Sequence, residues 1–171
     1  QEITKEDLIA IYEENNPGIY RYAVRLLGDA NLAEDCVSET FSRFLGVIQR
    51  GGGPRENIRA YLYRVAHNWV TDFYRRQPLP ELEIEEHEPI EPGSNPAVEV
   101  SEILERERVR AAILRLPAEQ QQIIQLRFLE YWSHEEVAQV LGKSMDATRS
   151  MQYRAIGSLR RMLMEEESNN G

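Results

Sequence analysis

Apolar residues recur every three or four positions along most of this chain, the period of an amphipathic α-helix, and no stretch alternates as a strand would. The spacing predicts a helix over 4–15, where Leu8, Ile9, Ile11 and Tyr12 share a face, Thr4 is the N-cap and Asp7 stands three residues later. Asn16-Pro17-Gly18 reads as a break, so Tyr20, Ala23, Val24 and Leu27 belong to a second helix over 19–27 that stops at Gly28-Asp29. A third helix, 31–48, turns Leu32, Cys36, Val37, Phe41, Phe44, Leu45 and Ile48 inward. The run from Arg50 to Arg55 holds Gly51, Gly52, Gly53 and Pro54 and must be a loop, because consecutive glycines weaken a helix. A fourth helix, 58–76, carries the stripe Tyr61, Leu62, Val65, Ala66, Trp69, Val70 and Phe73.

The pattern then breaks. Residues 77–99 contain Pro78, Pro80, Pro89, Pro92 and Pro96 with Gly93-Ser94-Asn95 and a run of glutamates, the composition of a flexible, self-repelling linker. Helical spacing returns near Glu102 and runs to about Arg115. Leu116-Pro117 opens another helix that carries Ile123, Ile124, Leu126, Phe128 and Leu129, proline being harmless in a first turn. Two more helices are predicted over 134–141 and 145–164. The expected fold is all-α: two small helical domains, 1–76 and 102–171, joined by a flexible acidic linker, 77–101.

Charge changes the picture once it is placed. The net charge is -9, which alone argues against a nucleic-acid partner. Residues 1–76, however, hold 10 cations and 11 anions, residues 77–105 hold 9 anions and no cation, and residues 106–171 hold 10 cations and 9 anions. The acidity sits in the linker, so the overall sign excludes nothing for the two domains. Cys36 is the only cysteine, so no intrachain disulfide can form, and a reducing cytoplasm is expected. No apolar run has the roughly 18 residues of a membrane span, and the acidic, amphipathic N-terminal segment does not resemble a signal peptide.

The most informative stretch is Ser133–Leu163. Ser133 with Glu136 makes a capping box. Ala138 and Gly142 stand four apart, as a helix-turn-helix requires: the alanine allows close packing of the second helix, and the glycine takes the positive φ of the corner. Val137, Leu141, Met151, Ala155 and Leu159 would fill the space between the helices. Arg149, Ser150, Tyr153 and Arg154 then face outward on the second helix, with Arg160 and Arg161 beyond. Guanidinium and hydroxyl groups on one helix face suit phosphate and base-edge contacts in a major groove. Gly142-Lys143-Ser144 echoes the end of a phosphate-binding loop, but Val137 stands where that motif needs glycine. His134-Glu135-Glu136 begins like a zinc-protease helix, but Ala138 occupies the second ligand position. Cys36, His67, His87 and His134 are too scattered for a metal site. No cofactor, catalytic group or small-molecule substrate is expected, and the chain does not read as an enzyme.

Four segments in order resemble the sigma-70 family of RNA polymerase sigma factors. Ala33–Phe41 (AEDCVSETF) is similar to the family's AED-x-x-Q-E-T-F signature of region 2, with Ser38 where glutamine is usual. Ile58–Arg76 resembles the region 2 helix that reads the minus-10 element. Leu116–Gln120 and Leu126–Ala138 resemble region 4, in which Thr148 and Gly157 replace the usual valine and basic residue. The resemblance covers about 4–76 and 102–164. It implies, given the chain's length, the extracytoplasmic-function (ECF) group without regions 1.1 and 3. It further implies that Asp35, Ser38 and Glu39 meet the clamp helices of the polymerase's largest subunit. Arg64, Arg75 and Arg76 would track minus-10 phosphates. Arg55 in the loop 50–57 and Asn68 would hold an unstacked base, and Tyr61, Trp69 and Tyr74 could stack on single-stranded bases. At helical spacing an aromatic is more often core, and Trp69 is assigned there first. Arg149, Ser150, Tyr153 and Arg154 would read the minus-35 element. The implied partners are core RNA polymerase, promoter DNA and an anti-sigma factor. The acidic linker would lie in a basic polymerase channel as a mimic of RNA. The alternative is a helix-turn-helix regulator that binds DNA without polymerase.

Overall fold

In a computed structural model the described residues are 2–76 and 96–169. Among them the secondary structure is helical throughout: α1 (Lys5–Leu27), α2 (Ala30–Gln49), α3 (Ile58–Arg76), α4 (Pro96–Leu114), α5 (Ala118–Ile124), α6 (His134–Leu141) and α7 (Met145–Asn169). A single π-helical turn, Gln125–Leu129, extends α5. The acidic run 81–91, His87 and most of the expected linker lie outside the described residues.

The first three helices form one unit around Ile19, Tyr22, Leu26, Cys36, Phe44, Leu62, Ala66 and Val70, all buried. Thr4 and Asp7 make a full capping box, each side chain bonded to the other's backbone N–H. Gly28 closes α1 at φ 67° with its N–H on the Val24 carbonyl, and Asp29 then caps α2 through the Leu32 N–H. The Tyr74 hydroxyl donates to the Leu26 carbonyl at 2.6 Å and ties the end of α3 to α1.

Two expectations for this unit are corrected. The break at Asn16-Pro17-Gly18 does not occur, because α1 runs through Pro17 and the unit has three helices rather than four. Proline removes one backbone bond, but the helix is held on both sides of it. Asn15 Nδ2 donates to the Ile11 carbonyl at 2.8 Å, and Gly18 and Ile19 are buried against the rest of the unit. Gly18 is there for packing, since a Cβ would collide with the Tyr63 hydroxyl. Leu45, Ile9 and Tyr12 are partly exposed, although Tyr12 sets its ring edge-on to Phe41 at 4.8 Å. Trp69 packs partly buried against the core, as expected, and stacks parallel on Phe73.

In the second unit α4 begins at Pro96, six residues before the expected start, with proline at the first helical position where its missing N–H costs nothing. The expected single helix after Pro117 is α5 continued by the wide π-turn, and Phe128 and Leu129 in that turn are exposed. Ile123, Ile124, Leu126, Trp132, Val137, Val140 and Ala155 are buried. Helices α5 and α6 pack on α7, and the unit lies directly against α1 and α3 of the first.

Candidate nucleic-acid interface

The helix-turn-helix forms as its sequence predicts. Ser133 Oγ accepts the Glu136 N–H at 3.1 Å while Glu136 returns a bond to the Ser133 N–H at 3.0 Å. These bonds, with the nearby Arg59 guanidinium, hold the Glu136 carboxyl below its ordinary pKa. Gly142 turns the corner at φ 64°, and the Lys143 N–H reaches back to the Ala138 carbonyl at 3.1 Å. Ser144 caps α7, its hydroxyl accepting the Ala147 N–H at 3.1 Å. Thr148 is buried with its hydroxyl on the Ser144 carbonyl at 2.8 Å, which explains how a polar residue stands in that packed position.

On α7, Arg149, Ser150, Tyr153 and Arg154 are all exposed and together line one shallow, open surface. Tyr153 is 82% exposed. Arg149 and Arg154 have no hydrogen-bond or ion-pair partner among the described residues. An aromatic ring and two guanidinium groups thus stand unengaged on one helix face.

On α3, Tyr61, Arg64, Asn68 and Arg75 share a flank at helical spacing. Asn68 and Arg76 are exposed, Arg75 pairs loosely with Asp72 at 3.5 Å, and Tyr61 leans on Phe44. Arg55 belongs to the loop before α3. Tyr74 is held by its bond to Leu26, and its hydroxyl is pushed above its ordinary pKa mainly by burial. On α2, Asp35 and Ser38 are exposed or partly so, and Glu39 pairs with Arg43 one turn on at 3.0 Å. Ser38, Val37, Tyr12 and Tyr20 line a groove between α1 and α2.

Arg64 is not free. Its Nε donates to the Val140 carbonyl at 2.9 Å and its Nη2 to the Gln139 carbonyl at 3.1 Å, both at the C-terminal end of α6. Around it lies a set of contacts that sequence reasoning missed. Arg59 sits over the Trp132 ring at 3.7 Å and pairs with Glu136 at 3.0 Å. Tyr63 meets Trp132 edge-on at 4.7 Å, and Gln122 Nε2 donates to the Tyr63 carbonyl at 3.3 Å. Glu130, its side chain only 6% exposed, receives Arg25 at 2.6 Å and Arg21 at 3.2 Å from α1. His67 is buried beside them and shares a hydrogen bond with the Tyr22 hydroxyl. Burial pushes its imidazole down to about 4 against a smaller opposing pull from the Ala118 backbone. The only sequence signal for Glu130 was a lone carboxylate among Phe128, Leu129, Tyr131 and Trp132.

Residues 11–78 match the family model for sigma-70 region 2, and residues 112–161 that for sigma-70 region 4. The ECF RNA polymerase sigma factor BldN of Streptomyces coelicolor is 32% identical over 159 residues, which cover 91% of this chain and 60% of BldN. The ECF RNA polymerase sigma factor SigL of Mycobacterium tuberculosis is 31% identical over 156 residues, 91% of this chain and 88% of SigL. Among solved structures, CnrH in complex with the cytosolic domain of CnrY superposes with a TM-score of 0.67 at 20% identity, over 95% of this chain and 90% of that one. The sigma factor RpoE in complex with the anti-sigma factor NepR from Bartonella quintana gives 0.61 at 20% identity, over 93% and 98%. Those two likenesses are of fold. The chain belongs to the sigma-70 family, as one of its ECF RNA polymerase sigma factors. Promoter-specific initiation of transcription by RNA polymerase is the function that membership carries.

Proposed function

We propose that the two units divide that work between them. Region 2, residues 1–76, docks on the clamp helices of the polymerase's largest subunit through Asp35, Ser38 and Glu39. It engages the minus-10 element through Arg55, Tyr61, Arg64, Asn68, Arg75 and Arg76. Region 4, residues 102–171, reads the minus-35 element through Arg149, Ser150, Tyr153 and Arg154. The stretch 77–101 joins them. The chain performs no catalysis itself, works in the cytoplasm, and is held in check by an anti-sigma factor.

One observation carries this reading: an open face of two unengaged guanidinium groups, a hydroxyl and a tyrosine on the second helix of a capped helix-turn-helix. Such a face offers donors to base edges and phosphates without prior rearrangement. Among the described residues no helix is long and apolar enough to cross a membrane. Transcription reconstituted with core polymerase tests the assignment. Promoter-specific transcripts should appear only when the chain is added. A tight, sequence-specific gel shift with no polymerase, and no transcript with it, would favour the independent helix-turn-helix regulator.

A further inference from the structure

Position 157 interrupts the open face of α7 with a glycine that nothing inside the protein calls for. Alone among the described glycines, Gly157 has neither a positive φ nor any atom within 4 Å of where a Cβ would stand. It lies in the middle of the helix Met145–Asn169. A glycine in a helix interior weakens the helix, and here no packing offsets that loss.

Its place around the helix is the centre of the outward face. At about 100° per residue, Ser150, Tyr153, Arg154, Arg160 and Arg161 all fall within about 60° of Gly157. Thr148 and Ala155, the buried residues of α7, lie on the opposite side. Tyr153 and Arg154 stand one turn before the glycine, and Arg160 and Arg161 one turn after it, all of them exposed. Bare backbone is therefore left between two raised rungs. From 147 to 164 the chain holds four arginines and no carboxylate. The notch is walled by guanidinium groups and an aromatic ring, which complements a polyanion.

We propose that Gly157 is the point of closest approach between α7 and one sugar–phosphate strand of the minus-35 duplex. The proposal rests on α7 reading that element. A recognition helix offers its N-terminal residues to base edges. The rise from Met145 to Gly157 is about 18 Å at 1.5 Å per residue, more than the roughly 12 Å width of a major groove. By this turn the helix meets the strand that borders the groove. Without a Cβ the strand lies against the helix backbone, where Arg154, Arg160 and Arg161 reach phosphates from both sides. A side chain at 157 would hold the strand off and lengthen all of those contacts together. Gly157 is a positioning residue: it makes no bond of its own and sets how near the guanidinium groups come.

The test uses the full chain assembled with core polymerase. The probes are a short duplex of random sequence and a duplex selected from random sequence by the wild-type assembly. Gly157→Ala should raise the thermal midpoint of the chain. It should nevertheless weaken binding to both duplexes by the same factor, roughly five-fold, the uniform loss of a backbone contact. The plot of log affinity against log salt should become shallower by about 0.9 for each phosphate no longer neutralised. Gly157→Gln, longer and uncharged, should weaken binding further. A Gly157→Ala chain that is more stable and binds as the wild type does overturns the proposal, while loss of binding by Arg154→Ala in the same assay leaves the minus-35 assignment of α7 standing. Binding unaffected by either substitution removes that assignment too. A loss confined to the selected duplex would put a base edge, not the strand, against Gly157. A loss of stability would mean that the glycine packs within the protein. Either result also overturns the proposal.

Discussion

Helices α3 and α7 both carry arginines and tyrosines at helical spacing, yet their surroundings differ completely. The face of α7 is open, and Arg149 and Arg154 have no partner among the described residues. Part of the face of α3 is engaged, with Arg59 over Trp132 and Arg64 on two carbonyls of α6, while Asn68 and Arg76 stay exposed. Composition measures what a helix could bind, whereas the fold decides whether its donors are already in use. Among the described residues Arg149 and Arg154 of α7 are unengaged, whereas on α3 Arg64 is engaged and Asn68 and Arg76 stay exposed.

Aromatic truncation gives the largest contrast. Trp132, 2% exposed between Tyr63 and Arg59, should cost about 3–5 kcal/mol when replaced by alanine, measured by urea unfolding. Tyr153→Ala, at 82% exposure, should stay within about 0.5 kcal/mol in the same assay. Comparable losses would mean that the two surfaces are not different in kind.

Arginine truncation should separate binding from stability. Arg154→Ala is expected to cost about 1–3 kcal/mol in binding to its minus-35 sequence, with no change in unfolding, if the contact is a bidentate base contact. An equal loss on every DNA sequence would reduce it to a phosphate contact. Arg64→Ala should instead lower the unfolding free energy, by about 1 kcal/mol given its partial exposure.

Acidity probes His67. The His67 imidazole titrates at about 4 when buried and near its ordinary value of about 6.5 when exposed. Its contribution to stability is therefore complete above about 6.5 and is lost as the pH falls from there toward about 4, by up to about 1.4 kcal/mol per pH unit. Urea titrations between those limits should show that slope in the wild type and a flatter one in His67→Gln. Parallel curves would mean that His67 is not buried neutral.

The smallest effect lies on the open helix. Gly157 in α7 has nothing within 4 Å of where a Cβ would stand. Gly157→Ala should raise the thermal midpoint modestly, by the helix propensity of about 1 kcal/mol or less. A loss of stability would mean that glycine serves a close approach there.

How much of this was legible depended on how local the cause was. The capped helix-turn-helix could be read residue by residue, because Ser133, Glu136 and Gly142 act on their own backbone neighbours. The bounds of α3 and α6 were legible for the same reason. The misreading at Pro17 arose because the burial of Gly18 against Tyr63, more than 40 residues away, outweighs a local helix-breaking signal. The outward set on α7 was legible because exposed residues need no partner to be placed. Glu130, Arg21 and Arg25 were not, since their pairing spans over 100 positions and no spacing rule connects them.

The π-turn at Gln125–Leu129 makes the contacts of Glu130 and Trp132 depend on chain length. There the Glu130 N–H reaches the Gln125 carbonyl five residues back, at 3.0 Å, and the Trp132 N–H reaches Leu126 at 2.9 Å. Such a turn is an α-helix that has accepted one extra residue. Removing a residue from it would let the helix rewind and rotate the downstream residues by about 100° about the axis. Glu130 would then swing away from Arg25, and Trp132 from Tyr63, without any change in their identity. The register of a single turn thus sets whether the two halves meet, and a sequence one residue shorter here could keep every contact residue and still lack the contact.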